Sequence, residues 1–371
     1  MDELEATLAL NMLPGLGPVG IRRLLEQFGS AEAVLNAKHS DLERVDGVSV
    51  ALADRIRSWE KHVDLGAELV RVERFGAKLV LPSDPTFPAN LKTIHDPPAL
   101  LYVWGELREK DRHAIAVVGS RRSTHYGNES AKKLSFQLAS AGLCILSGLA
   151  RGIDAAAHLG ALAAQGRTIA VIGGGLSELY PPEHRGLAEK IAASGAVVSE
   201  FPMSRKPDRT TFPMRNRIVS GWSFGVLVVE AGQSSGALIT ANQAAEQGRT
   251  VFAVPGPIDR PTSFGCNRLI QNGAKLVMTS SDVFDELGLL FQEKQMPLFE
   301  EVQPKESIAL PDGLGDLYHA LGREERLIDE LVEICQLPSG KVMSGLLQLE
   351  MRGLVKQLPG KRYVRLHHPA G

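Results

Sequence analysis

Between residues 66 and 295 the apolar positions alternate between two patterns. Short unbroken runs mark candidate strands at Lys78–Leu81, Ala99–Trp104, Ile115–Gly119, Leu143–Ser147, Thr168–Ile172, Ala196–Ser199, Val226–Glu230, Thr250–Val254 and Leu276–Thr279. Several, such as Ile115-Ala116-Val117-Val118, show no polar alternation, as expected of strands covered on both faces. Between runs the spacing becomes helical: Ala131, Leu134, Leu138 and Ala141 share one helix face. Ile153–Ala164 and Ala237–Gln247 are rich in alanine, which lets a helix lie close on a sheet. Strand, tight turn, helix, strand is the unit of an α/β fold with a doubly wound, mostly parallel sheet. The chain is organised around its clearest example, Ala114 to Gly152.

The flanks read differently. Residues 1–65 form short helices with two glycine turns: Gly15-Leu16-Gly17 resembles the hairpin of helix-hairpin-helix or SAM-like modules, and Gly47-Val48-Ser49 repeats it without the closing glycine. Residues 296–310, with two prolines and clustered acids, fit a linker. From 311 to 371 the order helix, turn at Leu337-Pro338-Ser339-Gly340, helix, hairpin is that of a winged helix. Its second helix carries only Lys341 and Arg352 as bases, which supports groove reading poorly; Lys356, Lys361, Arg362 and Arg365 in the wing suit phosphate or a protein surface equally.

A hydrophobic content of 44% and a charged content of 23% are those of a soluble globular protein. No apolar run approaches the ~20 residues of a membrane span, and the acidic N-terminus is unlike a signal peptide, so a cytoplasmic protein without a membrane partner is expected. Cys144, Cys266 and Cys335 are odd in number and far apart, which suggests neither disulfides nor a metal cluster. The net charge of −2 hides an uneven distribution. Lys and Arg number 7 against 11 Asp and Glu in residues 1–65, 25 against 21 in 66–295, and 8 against 8 in 311–371. Only the middle is positive.

That middle places its bases at strand ends. The run at 115–118 closes in Gly119-Ser120-Arg121-Arg122, and the run at 143–147 closes in Ser147-Gly148 with Arg151 behind it. In doubly wound sheets ligands sit beyond the carboxyl ends of strands, where helix N-termini offer free N–H groups to anions. Two arginines there serve no packing purpose. The expected ligand therefore carries phosphates. A dinucleotide cofactor is not expected, because the turn lacks the second glycine of G-x-G-x-x-G and Ser147-Gly148 supplies no acid for a ribose. No P-loop motif occurs. Gly173-Gly174-Gly175 ends the next run and serves either close ligand approach or a tight turn.

Arg205, Lys206, Arg209, Arg215 and Arg217 stand against a single Asp208 between Met203 and Arg217, the most basic piece of the chain. Arginine forks bind phosphate and release counterions. Phe201, Phe212, Trp222 and Phe264 lie near in sequence; rings stack on bases in single-strand binders but more commonly fill cores. Asp154 and His158 share a helix face and could form an acid–base pair, although a first-turn carboxylate also serves as a cap. No nucleophile with a matching base stands out.

The segments VVGSRRSTHYG, SGLARGIDAAAHLGAL, TIAVIGGGL followed by YPPEH, VSEFP, FPMRNRIVSG, VVEAGQSSGALITANQAAEQGR, and VFAVPG with the later SFGCNRLIQNGA closely resemble the DprA (Smf) family, the DNA-processing proteins of natural transformation. The resemblance implies an extended Rossmann-like domain (66–295) between a small all-α domain (1–65) and a winged helix (311–371). It also implies a homodimer that binds single-stranded DNA without sequence preference, protects it and delivers it to the RecA recombinase, with no catalytic residues, cofactor or metal. The Gly119-Ser120-Arg121 turn, Arg185, and the bases from Arg205 to Arg217 become DNA contacts; Arg185 departs from the lysine of many members. With the rim residues, the expected contact set is Gly119, Ser120, Arg121, Arg122, Ser147, Gly148, Arg151, Gly173, Gly175, Arg185, Arg205, Lys206, Arg209, Arg215, Asn216 and Arg217.

The wider fold also looks like that of nucleotide phosphoribohydrolases, which show P-G-G-x-G-T-x-x-E after the corresponding strand. Here Glu230-Ala231-Gly232-Gln233-Ser234-Ser235-Gly236 puts no acid at the catalytic position. A nucleotide-cleaving enzyme using Asp154, Glu200 or Glu230 in the same pocket is the rival reading. A scaffold acting only through its terminal modules is the third.

Overall fold

The computed structural model describes residues 1–288, 314–321, 325–351, 354–358 and 362–365. The expected linker at 296–310, with Arg352 and Lys361, lies outside the described residues. Met1–Lys294 and Gln295–Gly371 form two compact units.

The first unit opens with α1 (Glu3–Met12), α2 (Pro18–Phe28), α3 (Ala31–Asn36), α4 (His39–Leu42) and α5 (Val50–Arg57). Gly15 and Gly47 both adopt φ +84°, so the second copy makes the same left-handed turn as the first despite lacking the closing glycine. The two copies clasp one another: Arg55 of α5 donates to the Pro14 carbonyl in the first turn, and Arg23 of α2 donates to the Asp46 carbonyl in the second at 2.9 Å. Leu8 of α1 lies in one buried cluster with Tyr102 and Ile172 of the domain that follows. The Asn11 amide donates to the Glu200 carbonyl at 3.0 Å.

After α6 (Leu65–Phe75) the sheet begins. Its strands are β1 (Lys78–Val80), β2 (Leu101–Gly105), β3 (Ala114–Gly119), β4 (Cys144–Ser147), β5 (Thr168–Val171), β6 (Ala196–Ser199), β7 (Gly225–Glu230), β8 (Thr250–Ala253) and β9 (Lys275–Leu276). Each of the nine expected runs overlaps one, the last (Leu276–Thr279) by Leu276 alone. The order across the sheet is β1-β2-β6-β5-β4-β3-β7-β8-β9. Pairs from β6 through β9 are parallel, while β1 and β2 extend one edge in antiparallel fashion. The connecting helices are α7 (Ala89–Lys92), α8 (His125–Ser140), α9 (Ile153–Ala163), α10 (Arg185–Ser194), α11 (Thr211–Trp222), α12 (Gly236–Glu246), α13 (Phe264–Gln271) and α14 (Ser280–Glu286).

Successive strand residues point to opposite faces, so an unbroken apolar run requires two covered faces. Ala116 and Val118 of β3 enter one buried cluster with Leu146, Val226 and Val228, whereas Ile115 and Val117 enter another with Ile145, Leu227 and Val229. From β3 the chain winds outward through β4, β5 and β6; it then returns and winds the other way through β7, β8 and β9. The direction reverses between β3 and β7, which is where such sheets open a crevice. A register shift between Val118 and Gly119 marks that point.

The second unit holds α15 (Gly315–Ala320), β10 (Arg326–Leu327), α16 (Ile328–Cys335), α17 (Ser339–Met351), β11 (Val355–Leu358) and β12 (Arg362–Arg365). Its antiparallel sheet has the order β10-β12-β11 and packs through Leu331, Leu346 and Tyr363. This is the expected winged helix. Arg365 lies over the Tyr318 ring, 3.9 Å from its centroid.

His158 of α9 has no exposed surface, and its Nδ1 lies 2.7 Å from the Thr168 hydroxyl, which itself donates to the Ile145 carbonyl. Nδ1–H therefore donates to Thr168. Burial, reinforced by the nearby His184 and Arg215, pushes the imidazole pKa down to about 3. The unfolded chain takes up this proton near pH 6.5 and the native state does not, so stability falls as the pH drops from about 6.5 toward 3, by up to ~1.4 kcal/mol per pH unit. Urea midpoints measured from pH 7 to 5 should decline more steeply for the native protein than for His158→Asn; parallel declines would contradict the buried neutral state.

Candidate nucleic-acid interface

At the reversal between β3 and β7 a groove of about 570 Å³ crosses the carboxyl ends of the strands. One side is the turn after β3, Gly119 to Arg122; the other is the turn after β7, Gly232 to Gly236. Gly148 and Ala150 after β4 line it, with Arg209, Phe212, Arg215 and Asn216 from α11 and its approach. A smaller pocket of about 30 Å³ continues it under Gly173, Gly174, Tyr180 and Arg151. Arg121, Gly148, Phe212 and Arg215 line both, so the two cavities adjoin.

Arg215 builds the floor. Its guanidinium is buried and donates to the Gly148 carbonyl at 2.6 Å and to the Val171 carbonyl, tying the ends of β4 and β5 to α11. A Cβ on Gly148 would come within 2.3 Å of that guanidinium, so the glycine is a packing requirement. Burial lowers the Arg215 pKa to about 10, opposed by the Asp154 carboxylate, and the group stays charged at neutral pH. Above it, Arg121 lies over the Phe212 ring, 4.8 Å from the centroid, and Tyr180 flanks the same ring at 6.3 Å. Phe212 thus serves as a shelf for a cation rather than as core.

Of the expected contact set, Gly119, Ser120, Arg121, Arg122, Gly148, Arg209, Arg215 and Asn216 meet in the groove, and Arg151 and Gly173 meet in the pocket. Arg151 is exposed and pairs with Glu183 at 2.5 Å. Ser147 is buried, its hydroxyl given to the Val117 carbonyl. Gly175 is buried against the loop from Pro202, where a Cβ would lie 2.1 Å from the Met203 carbonyl. Arg185 pairs with Glu189 on α10 at 3.4 Å and Arg205 with Asp208 at 2.8 Å; they and the exposed Lys206 stand outside the lining of both cavities.

Arg217 is corrected. Residues two apart on a helix point away from one another, so with Arg215 facing the groove, Arg217 faces the interior. There it pairs with Asp96 at 2.8 Å and with the buried Glu200 at 2.5 Å. The loop Ser234-Ser235-Gly236 was missed as groove lining; its signal was a turn of small polar residues across the reversal from Gly119.

The candidate acids are engaged. Asp154, in the first turn of α9, accepts the Ala150 N–H of the preceding loop at 3.2 Å rather than an N–H of its own helix, while its partner at helical spacing, His158, turns to Thr168. Burial raises the Asp154 pKa, with Arg215 and Arg121 opposing. Glu200 holds Arg217, and Glu230 accepts from Thr124.

A doubly wound sheet whose reversal point carries an open arginine-lined groove defines an α/β protein with a groove whose lining suits anions. The sequence pattern of the family described as DNA recombination-mediator protein A matches residues 78–288, that of a DprA winged helix domain residues 301–361, and that of a SAM-like helix-hairpin-helix tandem residues 7–58. The chain belongs to the DprA/Smf family. It is 36% identical to Protein Smf of Synechocystis sp. over 96% of this chain and 98% of that one. It is 46% identical to the DNA processing protein DprA of Bacillus subtilis over 55% of this chain and 69% of that one. The crystal structure of DprA from Streptococcus pneumoniae superposes with a TM-score of 0.69 at 36% identity, covering 77% of this chain and 99% of that one. The structure of DNA processing protein A from Helicobacter pylori, described for its single-stranded DNA binding mode, gives 0.52 at 27% identity, covering 58% and 98%.

Removing one partner of a buried ion pair strands the other charge. Arg217→Gln should therefore cost about 3–5 kcal/mol in denaturant unfolding. A cost below ~1 kcal/mol, the range of exposed pairs, would show that Arg217 is not locked inside.

Proposed function

We propose that this chain is a non-enzymatic adaptor that binds single-stranded DNA without sequence preference in the groove between β3 and β7, protects it, and delivers it to RecA in recombination and natural transformation. The observation that carries the reading is the convergence of Arg121, Arg122, Arg209 and Arg215 around one open groove of about 570 Å³. Guanidinium forks neutralise phosphates, and the exposed Gly236, with open space beside it, lets a backbone approach closely. The exposed Tyr180 ring offers a face that stacks on any base, which supports binding without sequence preference. The single-strand binding described for the Helicobacter pylori protein supports the ligand.

A cytoplasmic homodimer is part of the proposal. The edge strand β9 and its surroundings expose Ile258, Phe264, Leu276 and Met278, apolar surface that a second copy would cover. Among the described residues no helix is long and apolar enough to cross a membrane. RecA as partner rests on family membership, and co-purification of the two proteins on an oligonucleotide tests it. The rival, a nucleotide-cleaving enzyme, is disfavoured because Asp154, Glu200 and Glu230 already hold an N–H, an arginine and a helix end.

The test is a titration of labelled oligo(dT), oligo(dA) and duplex DNA at several salt concentrations. Single strands should bind more tightly than duplex, with affinity falling linearly in log salt. Arg121→Ala should weaken every single-stranded sequence equally and reduce the salt slope by about one. Unchanged affinity and slope would remove the groove as the binding site.

A further inference from the structure

The first crevice of a doubly wound sheet normally seats a phosphate on the N-terminus of the helix after the first strand. Here that helix is α8, and its capping residue is already engaged. Glu230, the last residue of β7, turns its carboxylate onto Thr124, the residue capping α8. The Thr124 N–H lies 3.1 Å from both carboxylate oxygens, and the Thr124 hydroxyl donates to Oε2. Glu230 is 4% exposed. Gly127 makes room for it: a Cβ there would lie 2.4 Å from Oε2. The Ser120 N–H is taken too, by the Glu230 carbonyl at 2.7 Å.

We propose that Glu230 is a specificity-determining residue: its carboxylate occupies the phosphate seat of the crevice from within and so excludes phosphate monoesters, such as free nucleotides, from a site meant for polymer. The inference rests on the single-strand reading above. A helix N-terminus favours one negative group, and a second brought beside it meets a filled seat. The phosphodiesters of a polymer escape this restriction because they are carried by arginines on the rim, outside the seat. Free nucleotides would otherwise compete for the groove through a single good phosphate contact.

Three proteins separate the outcomes: the native chain, Glu230→Ala, which empties the seat, and Glu230→Gln, which removes the charge and keeps the seat filled. Each is titrated with thymidine 5′-monophosphate and with inorganic phosphate, and each is tested for displacement of bound oligo(dT) by thymidine 5′-monophosphate. The native protein should bind neither anion measurably, Glu230→Ala should bind both at least tenfold more tightly than the native chain, and Glu230→Gln should stay like the native chain while keeping oligo(dT) affinity. A folded Glu230→Ala that gains nothing, a Glu230→Gln that gains as much as Glu230→Ala, or displacement of oligo(dT) from the native protein would overturn the proposal. Should Glu230→Ala not fold, Glu230→Gln and the native displacement still decide it. Failure of the native chain to bind oligo(dT) at all would instead refute the single-strand reading.

Discussion

The fold and the groove meet in one buried cation. The Arg215 guanidinium, given to the Gly148 and Val171 carbonyls, fastens α11 across the ends of β4 and β5, and its charge forms the floor over which Arg121 lies. A buried charge must be compensated, and here the compensation is polar and local: two carbonyls, the Asn216 side chain and the attraction of Asp154. Asp154 also lines the groove, but Arg121, Arg122, Arg209 and Arg215 outnumber it there. An anion placed against Arg215 completes what the interior supplies only in part.

The same economy of charge explains why the other acids and bases face inward. Asp111 with Arg167, Glu200 with Arg217, and Glu68 with Tyr102 and the Met203 N–H each close on themselves and leave the surface. Glu230 does likewise at the end of α8. Arg121, Arg122 and Arg209 line one groove, at the point where the winding of the sheet reverses. The location follows from topology: between β3 and β7 the turns diverge and leave the larger of the two openings described.

Much of this could be read from the residues. Unbroken apolar runs located the central strands of the large sheet, since a run without polar alternation has to be covered twice; the exposed edge strand β9 meets its expected run only at Leu276. The rim turns at Gly119 and Gly148 followed from the same runs, because a glycine and an arginine at a strand end mark a loop with a task. Two things stayed hidden for physical reasons. Whether Arg215 or Arg217 faces the groove depends on the rotation of α11, which a segment with arginines at both positions does not reveal. That Glu230 fills the helix end is a contact across 106 residues, and no local spacing announces it. In residues 1–65, the second turn, legible as a repeat that lacks the closing glycine at Ser49, still forms because Gly47 supplies the left-handed conformation.

The most direct measurement is hydrogen–deuterium exchange of the full chain with and without oligo(dT). The account predicts slowed exchange at residues 119–124, 148–151, 209–216 and 232–236 together, since one strand lying in the groove covers all four segments at once. Protection confined to residues 1–65 or to the winged helix, with those four segments unchanged, would contradict it.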